Sequence, residues 1–250
     1  MIPILVAHRG YWARYPENTL VAIEAALHAG ACVVEFDVQL CADHTPVLLH
    51  DRSLARTAGR DLDVFELDSL ALPAISVHEP ARLGDFFEPQ PVAMLSTALS
   101  LFERYPAATA MVEIKQQSIE HFGLEHAMDV LLETIRPYAE HCVVISYNAD
   151  ALVYARAQGH ARIGWVLDAF DEAHRSRAHE LVPDYLICNH EKIAPQDTLW
   201  PGGWRWMLYD ITDAHTALEL AARGADLIET RDIGDLLQHP RLGTRGCGHG

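Results

Sequence analysis

Ile4-Leu5-Val6-Ala7-His8-Arg9-Gly10 and, one short helix later, Val33-Val34-Glu35-Phe36-Asp37-Val38 decide how the chain folds. Each is an apolar run of strand length that ends in, or carries, residues a core strand should not contain. An apolar run delivering His8 and Arg9 at its C-terminal end reads as a parallel strand that presents chemistry at its tip. Glu35 and Asp37 are two apart, so on a strand both carboxylates point to one face. Val33, Val34, Phe36 and Val38 around them imply burial on both sides. Two like charges on one face of a buried strand repel unless something positive lies between them, and a divalent cation is the simplest candidate.

Outward from these runs the chain alternates strand and helix. Pro16-Glu17-Asn18-Thr19 starts a helix, with Asn18 or Thr19 as N-cap and Gly30 just past its end. After the Glu35 strand, only Cys41 to Thr45 precede another apolar run, Pro46-Val47-Leu48-Leu49, ending in His50-Asp51. That link is too short for a parallel crossover, so the run is an antiparallel return that folds His50 beside Asp37. From about Arg52 to Pro91 the alternation breaks into an irregular excursion, with one helix expected over Val64 to Leu70 behind an Asp63 cap. Segments of this kind are more often functional than linker. It is too small for a core of its own, so residues 1–250 are expected to form a single domain.

The alternation then resumes. Helices are expected over Leu95 to Tyr105 and Ser118 to Arg136, with a strand over Ala110 to Lys115. Further strands are expected at Cys142–Ser146, Arg162–Leu167, Asp184–Cys188, Trp206–Ile211 and Ala225–Ile228. Leaving out the return, eight βα units in 250 residues are the arithmetic of a TIM (β/α)8 barrel, here with a small insertion after the hairpin return. A doubly wound open sheet is the alternative, but no G-x-G-x-x-G turn follows the first strand.

Composition removes several function classes. Nineteen basic against 35 acidic residues give a formal charge of -16, which argues against nucleic acid and against stable association with an anionic membrane. The five cysteines form no C-x-x-C pair, and several lie in or beside apolar runs; free buried thiols in a reducing compartment are expected. The opening has no basic region followed by an apolar stretch, and no run approaches membrane-spanning length, so a cytoplasmic location is expected.

The chemistry follows from the barrel. Glu113 and Lys115 repeat the i, i+2 spacing of Glu35 and Asp37, and C-terminal strand ends converge on one mouth. Glu35, Asp37 and Glu113 then come within reach of one cation, with His8, Arg9, His50 and Lys115 around it. Three carboxylates are hard oxygen ligands that suit Mg²⁺ or Ca²⁺, with Mn²⁺ also possible, rather than Zn²⁺. Two histidines can serve as acid and base near neutral pH, and Arg9 and Lys115 suit an anionic phosphoryl group. Each residue alone has a bland reading: a structural histidine, an edge carboxylate, an exposed ion pair, a turn. Together they occupy one place in the architecture, which is the equipment for cleaving a phosphate ester.

These residues resemble the glycerophosphodiester phosphodiesterases, (β/α)8-barrel enzymes of the phospholipase-C-like group. The resemblance runs through His8-Arg9-Gly10, Pro16-Glu17-Asn18-Thr19, Glu35-Phe36-Asp37-Val38, His50-Asp51 with Leu54, Arg56 and Thr57, and Glu113-Ile114-Lys115. Fainter matches reach Ser146-Tyr147-Asn148 and Gly224-Ala225-Asp226-Leu227-Ile228. It implies hydrolysis of a small-molecule glycerophosphodiester to sn-glycerol 3-phosphate and an alcohol, with a divalent metal on Glu35, Asp37 and Glu113. His8 and His50 would be the acid/base pair, Arg9 and Lys115 would hold the phosphate, and Glu17 would support them. The chain departs from the family pattern at Leu95-Ser96-Thr97-Ala98, Tyr209-Asp210-Ile211-Thr212 and Thr230-Arg231, around the alcohol side of the mouth. Tyr147, Trp165 and Tyr209 are candidates to line that side or to pack the core. Two other activities share the scaffold: a phospholipase-D-like or cyclising phosphodiesterase, and a silent headgroup-binding protein.

Overall fold

The structure, a computed structural model, describes residues 2–243 and Cys247. Nine strands form one sheet: β1 (Ile4–Ala7), β2 (Val33–Leu40), β3 (Pro46–Leu48), β4 (Thr109–Ile114), β5 (Cys142–Ser146), β6 (Ile163–Leu167), β7 (Tyr185–Asn189), β8 (Arg205–Tyr209) and β9 (Leu227–Thr230). Their order is β1-β9-β8-β7-β6-β5-β4-β2-β3, and β1 also pairs with β2, so eight parallel strands close into a barrel. β3 is the antiparallel return, with Val38 opposite Leu48.

Strand periodicity sorts the side chains. Inward residues Val6, Val33, Met111, Val143, Ile145, Val166, Ile187, Met207 and Leu227 make one buried cluster inside the barrel. Their neighbours Val34, Phe36, Val38, Ala110, Val112 and Ile114 face outward into a larger cluster shared with the helices. Phe36 and Phe102 meet there, ring centroids 6.3 Å apart, both fully buried. Burying one such side chain contributes about 1.5–3 kcal/mol, so the helix layer is held mainly by this outer packing.

Local details depart from the sequence reading where a single residue overrides a pattern. The helix expected from Ser118 to Arg136 is two, Gln116–Phe122 and Leu124–Ile135. Gly123, at φ +86°, breaks it although the apolar spacing runs on. The helix expected over Val64–Leu70 is a single 3-10 turn, Val64–Glu66, capped by the Asp63 carboxylate accepting from Phe65 N. The Leu95–Tyr105 helix turns 3-10 after Ser100. The last strand begins and ends two residues later than expected, at Leu227 and Thr230. The excursion buries a cluster of its own that includes Leu54, Val64, Phe65, Leu72, Ile75 and Val77, completed by Val47 and Leu49 of the return.

The cysteine reading is corrected at two positions. Cys32 and Cys247 form a disulfide across 215 residues, while Cys41, Cys142 and Cys188 are free and buried. Cys247 follows the last element, where no periodicity marks its place; only closure of the barrel returns it to the foot of β2. No described helix is long and apolar enough to cross a membrane.

Candidate active site

The C-terminal mouth of the barrel encloses a cavity of about 200 Å³ that collects residues from every barrel strand or the turn just after it. A cavity of about 340 Å³ at the opposite foot contains one carboxylate, Asp226, whose oxygen already accepts from Trp206 N. Arg162 and Arg205 also line the foot, but the histidines and the clustered carboxylates are at the mouth.

β1 ends in a strained turn. Arg9 has φ +53°, a left-handed conformation that L residues rarely hold without compensation. Its backbone N–H donates to Glu35 Oε2 at 3.1 Å, and its guanidinium donates to Glu17 Oε1 at 3.0 Å. Gly10, at φ +81°, lets the turn press against the helix Leu20–His28: a Cβ there would meet Ala22 C at 2.6 Å. That helix is capped by Thr19, which accepts from Ala22 N. Asn18 is thereby free for another task. Its amide donates to Asp37 Oδ2 at 2.9 Å and its carbonyl accepts from Asp37 N.

Sheet register sets the carboxylates. Asp37 lies opposite Glu113, and Lys115 Nζ bridges them, 3.0 Å from Asp37 Oδ1 and 2.7 Å from Glu113 Oε1. Arg9 Nε adds an ion pair to Asp37 Oδ2 at 3.1 Å, without hydrogen-bond alignment. Burial alone would raise Asp37, but Lys115 and Arg9 hold it well below the usual carboxylate range. Lys115 answers in kind: burial would lower it, yet Asp37 and Glu113 keep it firmly protonated.

The other carboxylates are less well compensated. Burial, and then Asp37, push Glu35 well up; burial raises Glu113 despite Lys115. Glu35 Oε1 is buried with no hydrogen-bond partner. Donor atoms of Glu35, Asp37 and Glu113 lie within 4.8 Å of one another. Crowded, part-unpartnered hard oxygens of this kind fit a divalent cation such as Mg²⁺, Ca²⁺ or Mn²⁺.

The two histidines have unlike surroundings. His8 is mostly buried, edge-on to Trp12 with centroids 5.5 Å apart, and its Nε2 is 3.9 Å from Glu35. Burial, with Arg9 beside it, pulls its pKa down to about 3, so the ring is neutral. His50 follows β3, its carbonyl accepting from Gln39 Nε2, and its Nδ1 pairs with Asp51 Oδ1 at 2.7 Å. Hydrogen bonding to His50 first, and to Arg56, lowers Asp51 to about 2. Arg56 in turn forks onto Glu17 at 2.6 and 2.7 Å. Behind His50, a chain of alternating charge thus runs Asp51–Arg56–Glu17–Arg9–Asp37–Lys115–Glu113. Glu17 does not line the cavity; it braces Arg9 from behind.

Of the aromatic candidates, Tyr147 and Tyr209 line the cavity, their hydroxyls 2.9 Å apart. Trp165 does not: its Nε1 donates to the Tyr147 carbonyl and its ring stacks on His174. Sequence reasoning missed Trp12, the second role of Asn18, and Glu229. Glu229 is buried in the mouth with Oε1 unpartnered. Its signal was present, since Leu227-Ile228-Glu229 is an apolar run ending in a carboxylate, but the expected strand stopped at Ile228, just short of it.

Comparison with known proteins gives a family-model match, to the "Glycerophosphoryl diester phosphodiesterase family", over residues 8–196. A glycerophosphodiester phosphodiesterase of Bacillus altitudinis is 30% identical over 155 residues, 59% of this chain and 59% of that protein, so the match spans less than two thirds of the relative. Mouse lysophospholipase D GDPD3 is 33% identical over 122 residues, 46% of this chain and 36% of that protein. An Oleispira antarctica phosphodiesterase, solved in complex with the product sn-glycerol-3-phosphate, shares the fold with a TM-score of 0.81 at 23% identity, covering 94% of this chain and 95% of that one.

Proposed function

The chain belongs to the glycerophosphoryl diester phosphodiesterase family, and on that premise we propose that it hydrolyses a glycerophosphodiester to sn-glycerol 3-phosphate and an alcohol. The observation that carries the reading is the junction, in one mouth, of crowded carboxylates, the buried Lys115, the half-buried Arg9 and two histidines in unlike settings. Glu35, Asp37 and Glu113 would hold a divalent cation, which when bound polarises the phosphoryl oxygen and neutralises the acidic cluster.

The protein's own groups then divide the work. Lys115 spends two of its three N–H donors on Asp37 and Glu113, leaving one for a phosphoryl oxygen. Arg9, fixed by Glu17 and Asp37, places a second positive group beside it. His8, held neutral, is suited to take the proton of the attacking nucleophile. His50, whose Nδ1 is braced by Asp51 so that its other ring nitrogen is left for the substrate, is suited to carry a proton to the leaving alcohol oxygen. The apolar side of the mouth suits the alcohol. The disulfide fits an oxidising compartment better than the cytoplasm expected from the opening sequence.

A second reading has its own support, since one relative is named lysophospholipase D. Glycerophosphodiesters and lysophospholipids incubated with the protein, with and without chelator, and followed by ³¹P NMR separate the two. Free sn-glycerol 3-phosphate that disappears with chelator and returns with Mg²⁺, Mn²⁺ or Ca²⁺ is the expected result. A cyclic phosphate as the end product would replace hydrolysis with cyclisation, and full turnover in excess chelator would remove the metal assignment.

A further inference from the structure

One carboxylate of the mouth has no task in the reading above. Glu229 is the inward residue at the top of β9, opposite Val6 of β1. It is 3% exposed, its Oε1 has no partner, and burial, with Glu113 next, pushes its carboxyl well up. Donor atoms of His8, Glu35 and Glu229 lie within 4.8 Å of one another, as do those of Glu35, Asp37 and Glu113. The two sets share Glu35, whose Oε1 is itself bare.

The sets differ in chemistry. The first is all carboxylate, the donor type of Mg²⁺ and Ca²⁺. The second includes an imidazole, which those ions take poorly and Zn²⁺ takes readily. Asp37, by contrast, already has both oxygens engaged by Lys115, Asn18 and Arg9. The oxygens left without a partner are therefore those of Glu35 and Glu229, both members of the set that includes His8.

We propose that the mouth has a second cation position, made by His8, Glu35 and Glu229, that selects imidazole-accepting ions such as Zn²⁺ and inhibits the enzyme when filled. Inhibition follows because a metal on His8 occupies the ring that would accept a proton; this rests on the proposed role of His8 and on Glu35 as a ligand of the activating cation. Charge sets the order of filling. Five carboxylates, Asp210 included, against Arg9 and Lys115 give a negative mouth, whose excess charge the first divalent cation largely offsets. A second ion then meets a weaker field and binds more weakly.

Equilibrium dialysis of the full chain against Zn²⁺ alone, with metal counted by mass spectrometry, reads the position without turnover. Two Zn²⁺ per chain are expected, and one in Glu229→Gln, whose thermal unfolding and remaining ion show that it is folded. In the wild type, Zn²⁺ but not Mg²⁺ should shift the His8 ring-proton resonances, a readout that needs no variant. In the Mg²⁺-activated enzyme, half-inhibition by Zn²⁺ should move at least about tenfold higher in Glu229→Gln, the factor that a 1.4 kcal/mol loss of affinity produces. One ion in the wild type, or two in both proteins, overturns the proposal. Absence of turnover with Mg²⁺ would instead defeat the proposed function, and the ion count would still decide the second position.

Discussion

The mouth of the barrel has two halves made by the same strand geometry and given opposite chemistry. The contiguous arc β9, β1, β2 and β4 points Glu229, His8, Glu35, Asp37 and Glu113 into the cavity. The arc β5 to β8 points Ile145, Val166, Ile187 and Met207 into it, with Tyr147 and Tyr209 at the rim. Its one carboxylate, Asp210, is tied to Asn189 Nδ2 at 2.8 Å. In both arcs the inward residues follow the two-residue strand period, so register supplies the address and residue type the role. The ionic arc is held by mutual charge: Asp37 lies low and Lys115 high because each faces the other. The apolar arc is held by packing, where deletions cost stability before they cost chemistry.

That division can be broken by substitution on either side. The largest effect is expected at the two histidines proposed to transfer protons. His50→Ala should slow hydrolysis of an alkyl phosphodiester by about 10²–10⁴-fold, with most of the loss restored when the leaving group is nitrophenol, which scarcely needs protonation. His8→Ala should show no such rescue. Measured kcat on both substrates decides it, and equal rescue of the two variants would erase the assigned roles.

Lys115→Met comes next, lowering kcat by roughly 10²-fold, the scale of a lost electrostatic stabiliser. A rise in KM with kcat intact would mean that Lys115 binds ground and transition states alike. Smallest is Tyr209→Phe in the other arc. It removes the hydroxyl pair with Tyr147, worth about 0.5–1.5 kcal/mol, and should change KM for bulky alcohols by less than about tenfold. A kcat loss as large as that of Lys115→Met would show that the two halves are not distinct in function.

Much of the ionic arc was legible because a strand announces its faces. Glu35 and Asp37 two apart, and Glu113 and Lys115 two apart, needed only the pleat to place them together. The hairpin return placed His50 because five linking residues allow no crossover. Glu229 escaped because a strand end is fixed by pairing with its neighbours, here Glu229 opposite Val6, and not by its own hydrophobicity. Asn18 was legible as a cap candidate, but which of two adjacent polar residues caps and which reaches Asp37 depends on where β2 passes. Gly123 interrupts a helix whose apolar spacing is continuous, so periodicity hid a break that one backbone angle makes. The saturation of Asp37, which separates it from Glu35, is a property of distances and has no counterpart in the chain order.

The Cys32–Cys247 bond makes most of this molecule a covalent circle. Closing a loop of 215 residues removes roughly 5 kcal/mol of unfolded-chain entropy at 25 °C in the simple polymer account. The topology matters as much as the energy. A protease that cuts the exposed Phe86 loop, inside the circle, opens it into a line without releasing a fragment. The two pieces stay joined as one covalent mass until a reductant cuts the link, after which the paired strands hold them together. The protein can therefore be nicked and remain one covalent object in an oxidising medium, and becomes two chains on entering a reducing one.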